Sequence, residues 1–131
     1  MFLFLFMFKK TKKKLVLIVE DDALLAKVLE KRLAEEKFEV RVVEDGLEAV
    51  KVVEYLEPNL ILLDLILPGL DGFGVLREIK QNPETAKIPV AVISNLSSIS
   101  DVKSAKTLGA EEFFIKANSS LDQIIAYVKK I

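Results

Sequence analysis

The sequence of 131 residues contains neither cysteine nor histidine. Without cysteine the chain can form no disulfide, and it has no thiol nucleophile or thiolate metal ligand. Without histidine it lacks the side chain that most often acts as a general base or metal ligand near neutral pH. Any chemistry in this protein must therefore use carboxylates, hydroxyls, lysines and, where a metal takes part, a hard cation.

Charged residues of both signs are plentiful but unevenly distributed. The chain has 19 basic and 20 acidic residues, and five of the basic ones are lysines within residues 1–14, which contain no acid. Residues 15–131 are therefore acidic overall. An acidic body argues against nucleic-acid binding. The length and the ordinary globular composition predict one compact domain over residues 15–131.

Residues 1–14 combine an apolar run, residues 1–8, with the lysines that follow it. The run is too short to span a bilayer, which takes about 20 residues. Its positive charges follow it, whereas in a secretory signal they precede the apolar part. We interpret residues 1–14 as an apolar, lysine-rich tail outside the domain. Contact with a membrane surface and self-association are the less favoured alternatives, and a cytoplasmic location is expected.

Short apolar runs recur along the rest of the chain. Four of them show no polar alternation and are typical of parallel strands buried on both faces: residues 15–19, 60–63, 90–93 and 113–115. A fifth run, residues 38–43, does alternate, and we expect it at an edge of the sheet.

Amphipathic segments lie between and after these runs, and they predict helices. Aspartates or serines stand where the helices should begin, as is typical of N-caps. Five strand–helix units predict an α/β protein with a flavodoxin-like doubly wound (βα)5 fold, whose parallel sheet has the order 2-1-3-4-5 and helices on both faces. The expected caps are Asp22, Asp45, Asp71, Ser100 and Ser120, and the expected apolar stripes are Leu25, Val28, Leu29 and Leu33; Ala49, Val50 and Val53; Phe73, Leu76 and Ile79; and Leu121, Ile124, Ile125 and Val128.

Side chains able to do chemistry follow the predicted strands at their carboxyl ends. Glu20 and Asp21 follow the first strand, Asp64 follows the third, Ser94 closes the fourth and Lys116 follows the fifth. Each residue alone has an ordinary structural explanation, such as a turn or a structural ion pair. Ligands of doubly wound sheets bind beyond the carboxyl ends of the strands, so their joint occurrence there indicates a functional pocket.

The residue types in this pocket favour a hard cation. Clustered carboxylates repel one another unless a cation joins them, and an all-oxygen ligand set suits Mg²⁺, with Mn²⁺ as an alternative. Such an ion leaves coordination positions open for phosphate oxygens. Lys116 and the Ser94 hydroxyl could then contact a phosphoryl group, which leaves Asp64 as a nucleophile able to form an acyl phosphate.

Four segments in this order and spacing resemble the receiver domains of bacterial two-component response regulators: residues 15–22, 60–72, 90–95 and 108–116. The resemblance covers residues 15–131. It implies that Asp64 is phosphorylated by a histidine kinase or a phosphotransfer protein, and that the protein is a regulatory phosphoacceptor rather than an enzyme.

The resemblance also implies a role for the other matching positions. Glu20, Asp21 and Asp64 would hold the metal together with the backbone carbonyl of Ile66. Ser94 and Lys116 would contact the phosphoryl group. Ser94 would also act as a switch with Phe113, and the face formed by helix four, strand five and helix five would contact a downstream protein.

Three positions depart from the family pattern. The residue after the lysine is Ala117 where the family usually has a cis proline, so that loop is expected to be built differently or to be more mobile. Phe113 has no hydroxyl, so any switching there must work by packing. Ile66 and Leu96 are apolar at the two positions that tune hydrolysis of the acyl phosphate, which predicts a long-lived phosphoryl group.

We therefore expect a stand-alone receiver, a monomer or weak homodimer, whose output is a protein interaction. The main alternative is a relay that passes the phosphoryl group onward. A phosphatase of the haloacid-dehalogenase type is disfavoured because Ile66 stands where that fold needs a second aspartate. A nucleotide- or flavin-binding module is disfavoured because the first loop is acidic where glycines would be needed. A receiver that signals without phosphorylation is disfavoured because it would be expected to have an incomplete pocket, whereas the predicted pocket is complete.

Overall fold

The computed structural model describes residues 12–131. Five strands alternate with five helices over this range. In chain order the elements are β1 (Leu15–Val19), α1 (Ala23–Glu35), β2 (Glu39–Val43), α2 (Gly46–Leu56), β3 (Leu60–Leu63), α3 (Gly72–Gln81), β4 (Val90–Ser94), α4 (Ile99–Thr107), β5 (Glu112–Ile115) and α5 (Leu121–Val128).

The strands form one parallel sheet in the order β2-β1-β3-β4-β5. This confirms the predicted flavodoxin-like order, with the alternating strand β2 at an edge. The residues of β1, β3 and β4 point alternately to the two faces, because successive side chains of a strand do so. Each face therefore has its own apolar core.

The two cores divide the helices into two layers. Ala26, Leu29 and Leu33 of α1 pack with residues of α5 against one face of the sheet. Helices α2, α3 and α4 cover the other face, where Ala105 is the buried residue of α4. Helices on both faces confirm the doubly wound architecture.

Three details differ from the predictions. Ser98, and not Ser100, caps α4, since its hydroxyl accepts from the backbone N–H of Asp101 at 3.0 Å. Val28 is partly exposed, because Ala26 takes the inward position on α1. Strand β5 is only half-buried, because it is an edge strand and has a neighbour on one side only.

The other predicted caps are confirmed. Asp22, Asp45 and Asp71 each accept a backbone N–H in the first turn of their helix. Ser120 and Gln123 form a reciprocal capping box at the start of α5. These caps fix the helix starts that follow β1, β2, β3 and β5, at the edge of the sheet where the candidate site residues stand.

The predicted tail lies mostly outside the described residues, which begin at Lys12. The three lysines at positions 12–14 are exposed and belong to no strand or helix. Among the helices of residues 12–131, none has the length and apolar character needed to cross a bilayer.

Candidate functional site

Strand register brings the predicted site residues together at one edge of the sheet. Val19 at the end of β1 pairs with Leu63 at the end of β3. The next residues, Glu20 and Asp64, therefore become neighbours, and the backbone N–H of Asp64 donates to the carbonyl of Val19 at 3.0 Å.

The same arrangement recurs on the other side of β3. Ser94 at the end of β4 pairs with Ile115 of β5, and the N–H of Lys116 donates to the Ser94 carbonyl at 2.9 Å. We call Glu20, Asp21, Asp64, Ser94 and Lys116 the acidic pocket.

A buried ion-pair cluster forms the centre of the acidic pocket. The Lys116 Nζ lies 2.7 Å from Glu20 Oε1 and 3.1 Å from Asp64 Oδ2. Both carboxylate side chains are about 5% exposed or less, and that of Lys116 is 18% exposed. One ammonium thus faces two buried carboxylates, so the cluster carries an excess negative charge when both carboxylates are ionised.

Burial and crowding disturb the protonation of these groups. The pKa of Glu20 is raised to about 7: burial is the largest cause, the nearby Asp64 adds to the rise, and the hydrogen bond from Lys116 opposes it. Burial alone would lower the pKa of Lys116, but its hydrogen bonds to Glu20 and Asp64 outweigh that effect and the pKa is raised. The lysine is therefore charged at neutral pH. Glu20, with a pKa of about 7, is only partly ionised at that pH, because its buried surroundings favour the neutral carboxyl group.

Backbone donors orient the two buried carboxylates. The N–H of Asp22 donates to Glu20 Oε2, and the N–H of Ile66 donates to Asp64 Oδ1, both at 3.2 Å. The role of the Asp22 N–H was not predicted from the sequence, because a backbone donor has no residue-type signal. The Asp22 side chain caps α1, as predicted.

Close packing also holds the backbone of Asp64 in place. A Cβ added at Gly72 would lie 2.3 Å from the Asp64 carbonyl oxygen and 2.4 Å from the Cα of Leu65. Only glycine fits this position, so the first turn of α3 rests directly on the end of β3. The Gly72 N–H donates to the Leu65 carbonyl at 2.9 Å and fixes that contact.

The residues of the acidic pocket fit a divalent cation. Glu20, Asp21 and Asp64 each offer a carboxylate oxygen, and these oxygens lie within 4.8 Å of one another. Asp21 is exposed, so the cluster opens to solvent on one side. The raised pKa of Glu20 supports the fit, because a bound cation would stabilise the buried carboxylate that desolvation disfavours.

The remaining predicted residues surround the pocket. Ser94 is fully buried and its Oγ accepts from the N–H of Leu96 at 3.3 Å; within the described residues no hydrogen bond joins it to Asp64. Phe113 is half-buried against the core beneath α2, α3 and α4. Ile66 is 55% exposed.

The loop after Lys116 is closed without a cis bond. No peptide bond in residues 12–131 is cis. The carbonyl of Ile115 accepts from the N–H groups of Asn118 and Ser119, both at 2.9 Å, so a hydrogen-bonded turn leads from β5 to α5. This confirms the expectation that the loop containing Ala117 is built differently from a loop that has a cis proline at this position.

Taken together, the fold and the pocket define a class: a doubly wound α/β domain with a buried carboxylate and lysine cluster at the carboxyl ends of its central strands. Residues 16–129 match the family described as the response regulator receiver domain. The chain belongs to this family. It is a receiver domain of two-component signalling, in which receivers accept phosphoryl groups from histidine kinases or phosphotransfer proteins and bind a divalent metal at an acidic pocket.

Over the aligned residues, two curated relatives are about one third identical to this chain. It is 34% identical over 104 residues to the probable transcriptional regulator ycf27 of Porphyridium aerugineum, covering 79% of this chain and 42% of the relative. It is 34% identical over 106 residues to the DNA-binding response regulator MtrA of Mycobacterium tuberculosis, covering 81% and 45%. The chain thus spans less than half the length of these relatives.

Solved structures show the same fold. The Mn²⁺-bound response regulator Rcp1 is 35% identical with a TM-score of 0.76, over 90% of this chain and 91% of the other. The receiver domain of a putative Luxo repressor protein from Vibrio parahaemolyticus is 30% identical with a TM-score of 0.83, over 91% and 89%. The first of these structures is a metal-bound form, with the divalent cation Mn²⁺.

A divalent cation is expected to stabilise the fold measurably. At a free Mg²⁺ concentration 100 times its dissociation constant, the free energy of unfolding should rise by about 2.7 kcal/mol, and a chelator should reverse the gain. Glu20→Gln should remove most of the gain because it removes a buried ligand. Glu36→Gln, which changes the exposed residue directly after α1, should retain it. Urea unfolding with and without Mg²⁺ measures this, and an equal gain in all three proteins would contradict the site.

Proposed function

We propose that Asp64 accepts a phosphoryl group from a histidine kinase or a phosphotransfer protein, with Mg²⁺ or Mn²⁺ held by Glu20, Asp21, Asp64 and the backbone carbonyl of Ile66. The observation that supports this most directly is the Lys116 ammonium, which lies against both Glu20 and Asp64 in a buried pocket. A buried carboxylate needs such a counter-charge to stay in its ionised form, which is the form that can attack phosphorus.

The chemistry follows from the positions of these groups. A carboxylate oxygen of Asp64 forms a bond to phosphorus, and the bond from phosphorus to the donor's imidazole nitrogen breaks. The N–H of Ile66 holds Asp64 Oδ1, while Lys116 lies at Oδ2. A bound cation would supply positive charge to the phosphoryl oxygens.

Ser94 and Phe113 are proposed to carry the response away from the pocket. Ser94 lies at the end of β4, and the loop after it leads into α4. Phe113 packs on the core side that α4 covers. A change in the contacts of the Ser94 hydroxyl would thus alter the α4–β5–α5 face, where we place the contact with a downstream protein. Relay of the phosphoryl group to another protein is the second form of the proposal.

Incubation with acetyl phosphate tests the chemistry without a cognate kinase. Mass spectrometry should find one phosphoryl group per chain when Mg²⁺ is present and none when a chelator is present. The group should be released by hydroxylamine, because acyl phosphates are cleaved by it and phosphoserine is not. Labelling that is unchanged by the chelator, or a phosphoryl group that hydroxylamine does not release, would refute the proposal.

The apolar residues beside the pocket are expected to prolong the phosphorylated state. Ile66 is 55% exposed and offers no polar group to orient an attacking water. Ile66→Asn should therefore speed hydrolysis of the acyl phosphate, by up to about 100-fold if the amide orients a water well.

A matched control separates this effect from a general change of surface polarity. Leu47→Asn changes a side chain of almost equal exposure, 57%, on α2. Loss of the phosphoryl group would be followed by mass spectrometry after removal of acetyl phosphate. Identical decay rates in wild type and Ile66→Asn would count against this role for Ile66.

A further inference from the structure

The outer face of α4 differs in character from most of the domain surface. Ile99, Val102, Lys103 and Lys106 follow one another at helical spacing and share one side of α4, at whose edge the half-buried Val102 adjoins the buried Ala105. We call these four residues the outer α4 face. Ile99 is 88% exposed, which makes it the most exposed large hydrophobic side chain that the structure describes.

A basic groove lies beside the outer α4 face. It has a volume of about 340 Å³ and is lined by Arg77 of α3 and by Lys103, Ser104, Thr107 and Leu108 of the α4 segment. Within residues 12–131, no carboxylate lies within 4.0 Å of the charged groups of Arg77, Lys103 or Lys106. Lys103 and Lys106 thus lie beside the exposed Ile99 and the half-buried Val102, and Arg77 lies across the adjoining groove.

This basic surface stands on an acidic body, since residues 15–131 hold more acidic than basic residues. Asp101 is the acidic residue of α4. It is only half-exposed and lies in the first turn, where the N-terminal end of the helix favours a negative charge. A ligand for the outer α4 face must therefore offer negative charge and an apolar group together.

The outer α4 face is also connected to the acidic pocket. The N–H of Leu96 donates to Ser94 Oγ, and Ser98 caps the helix, so few residues separate the pocket from Ile99. A change in the Ser94 contacts would move the start of α4 and, with it, the position of Ile99.

We propose that the outer α4 face binds a helical segment of a partner protein that carries carboxylates around a leucine-like side chain. The apolar group would cover Ile99 and Val102, and the carboxylates would pair with Lys103, Lys106 and Arg77. This rests on the proposed function, since it gives the chemistry of the partner expected at the α4–β5–α5 face. Nucleic acid would offer charge without covering Ile99, and the acidic body would repel it.

Two synthetic helical peptides provide the probe. Both have the same leucines, and every charged position is glutamate in one and lysine in the other. Fluorescence anisotropy at low salt should show that the chain, treated with acetyl phosphate and Mg²⁺, binds the glutamate peptide at least about tenfold more tightly. The double variant Lys103→Glu/Lys106→Glu should reverse this preference, and Ile99→Ser should weaken binding of both peptides.

A charge change on another helix serves as the control. Lys27 and Lys31 are exposed on α1 with the spacing of one helical turn. Lys27→Glu/Lys31→Glu alters the net charge as the α4 variant does, and should keep the preference of wild type. The inference is wrong if the two peptides bind equally, if the α4 variant keeps the preference, or if the α1 variant reverses it.

Phosphorylation is measured in the same samples, so that the two proposals can fail separately. The α4 variant should accept a phosphoryl group as wild type does, because its substitutions lie outside the acidic pocket. Normal labelling without a peptide preference would overturn the partner chemistry alone. Absence of labelling in wild type would overturn the proposed function, whichever peptide is bound.

Discussion

Replacement of Asp64 by asparagine is expected to reduce phosphoryl transfer by about 100-fold or more, because it removes the nucleophilic oxygen. The variant should remain folded. An asparagine oxygen can still accept from the Ile66 N–H, and Lys116 keeps its shorter contact, 2.7 Å, with Glu20. Loss of labelling would then report on the chemistry and not on unfolding.

The matched control for this variant is Asp22→Asn. Asp22 follows Glu20 and Asp21 closely, but its side chain caps α1, a role that asparagine performs about equally well. It should label like wild type. Labelling would be measured with acetyl phosphate and Mg²⁺, and unfolding with urea. Loss of labelling in both variants would indicate a general effect of charge near the pocket.

Replacement of Lys116 by methionine is expected to cost about 3–5 kcal/mol of stability at alkaline pH in the absence of divalent cations, because it leaves two buried, ionised carboxylates without a counter-charge. Methionine keeps much of the apolar stem. The control is Lys129→Met, which breaks an exposed ion pair with Glu36 at 3.5 Å and should cost about 1 kcal/mol or less. A similar loss in both variants would contradict the special role of Lys116.

The loss caused by Lys116→Met should depend on pH. In the wild type the pKa of Glu20 is already raised to about 7, and the hydrogen bond from Lys116 is the main influence that lowers it. Without the lysine the pKa rises further. An acid whose pKa is raised on folding destabilises the fold when it is ionised, so the deficit should be greatest at alkaline pH and shrink as pH falls through 7.

Mg²⁺ should partly replace the missing lysine charge. Its addition at alkaline pH should therefore raise the stability of Lys116→Met by more than it raises that of wild type. Urea unfolding at two pH values, with and without Mg²⁺, tests both dependences. A deficit that is independent of pH and of Mg²⁺ would show that lost packing, and not charge, explains it.

The sheet and its functional edge could be predicted because both depend on patterns of many residues. The uninterrupted apolar runs identified the central strands, and their parallel arrangement brought Glu20, Asp64 and Lys116 to one edge. The half-buried state of β5 was missed because Phe113 and Phe114 are as apolar as residues of a central strand. Their exposure depends on which elements cover the edge, and the local sequence does not contain that information.

Details that depend on one helix turn or one side-chain rotamer could not be predicted from the sequence. Ser98 and Ser100 are both suitable caps, and only the path of the loop after β4 decides between them. Likewise, Lys116 was expected beside a phosphoryl group on Asp64, but its shorter contact is with Glu20. That choice depends on rotamers of three buried side chains. The close contact of Gly72 with the Asp64 carbonyl is also visible only in three dimensions.

The position of the phosphoryl group tests the central claim most directly. The chain would be phosphorylated with acetyl phosphate and Mg²⁺ and then treated with borohydride, which reduces an aspartyl phosphate to homoserine. Peptide mass spectrometry would locate the homoserine. We expect it at position 64 and at no other position. Homoserine at position 21 or 22, or a stable phosphate on Ser94 with Asp64 unchanged, would contradict the account of the acidic pocket.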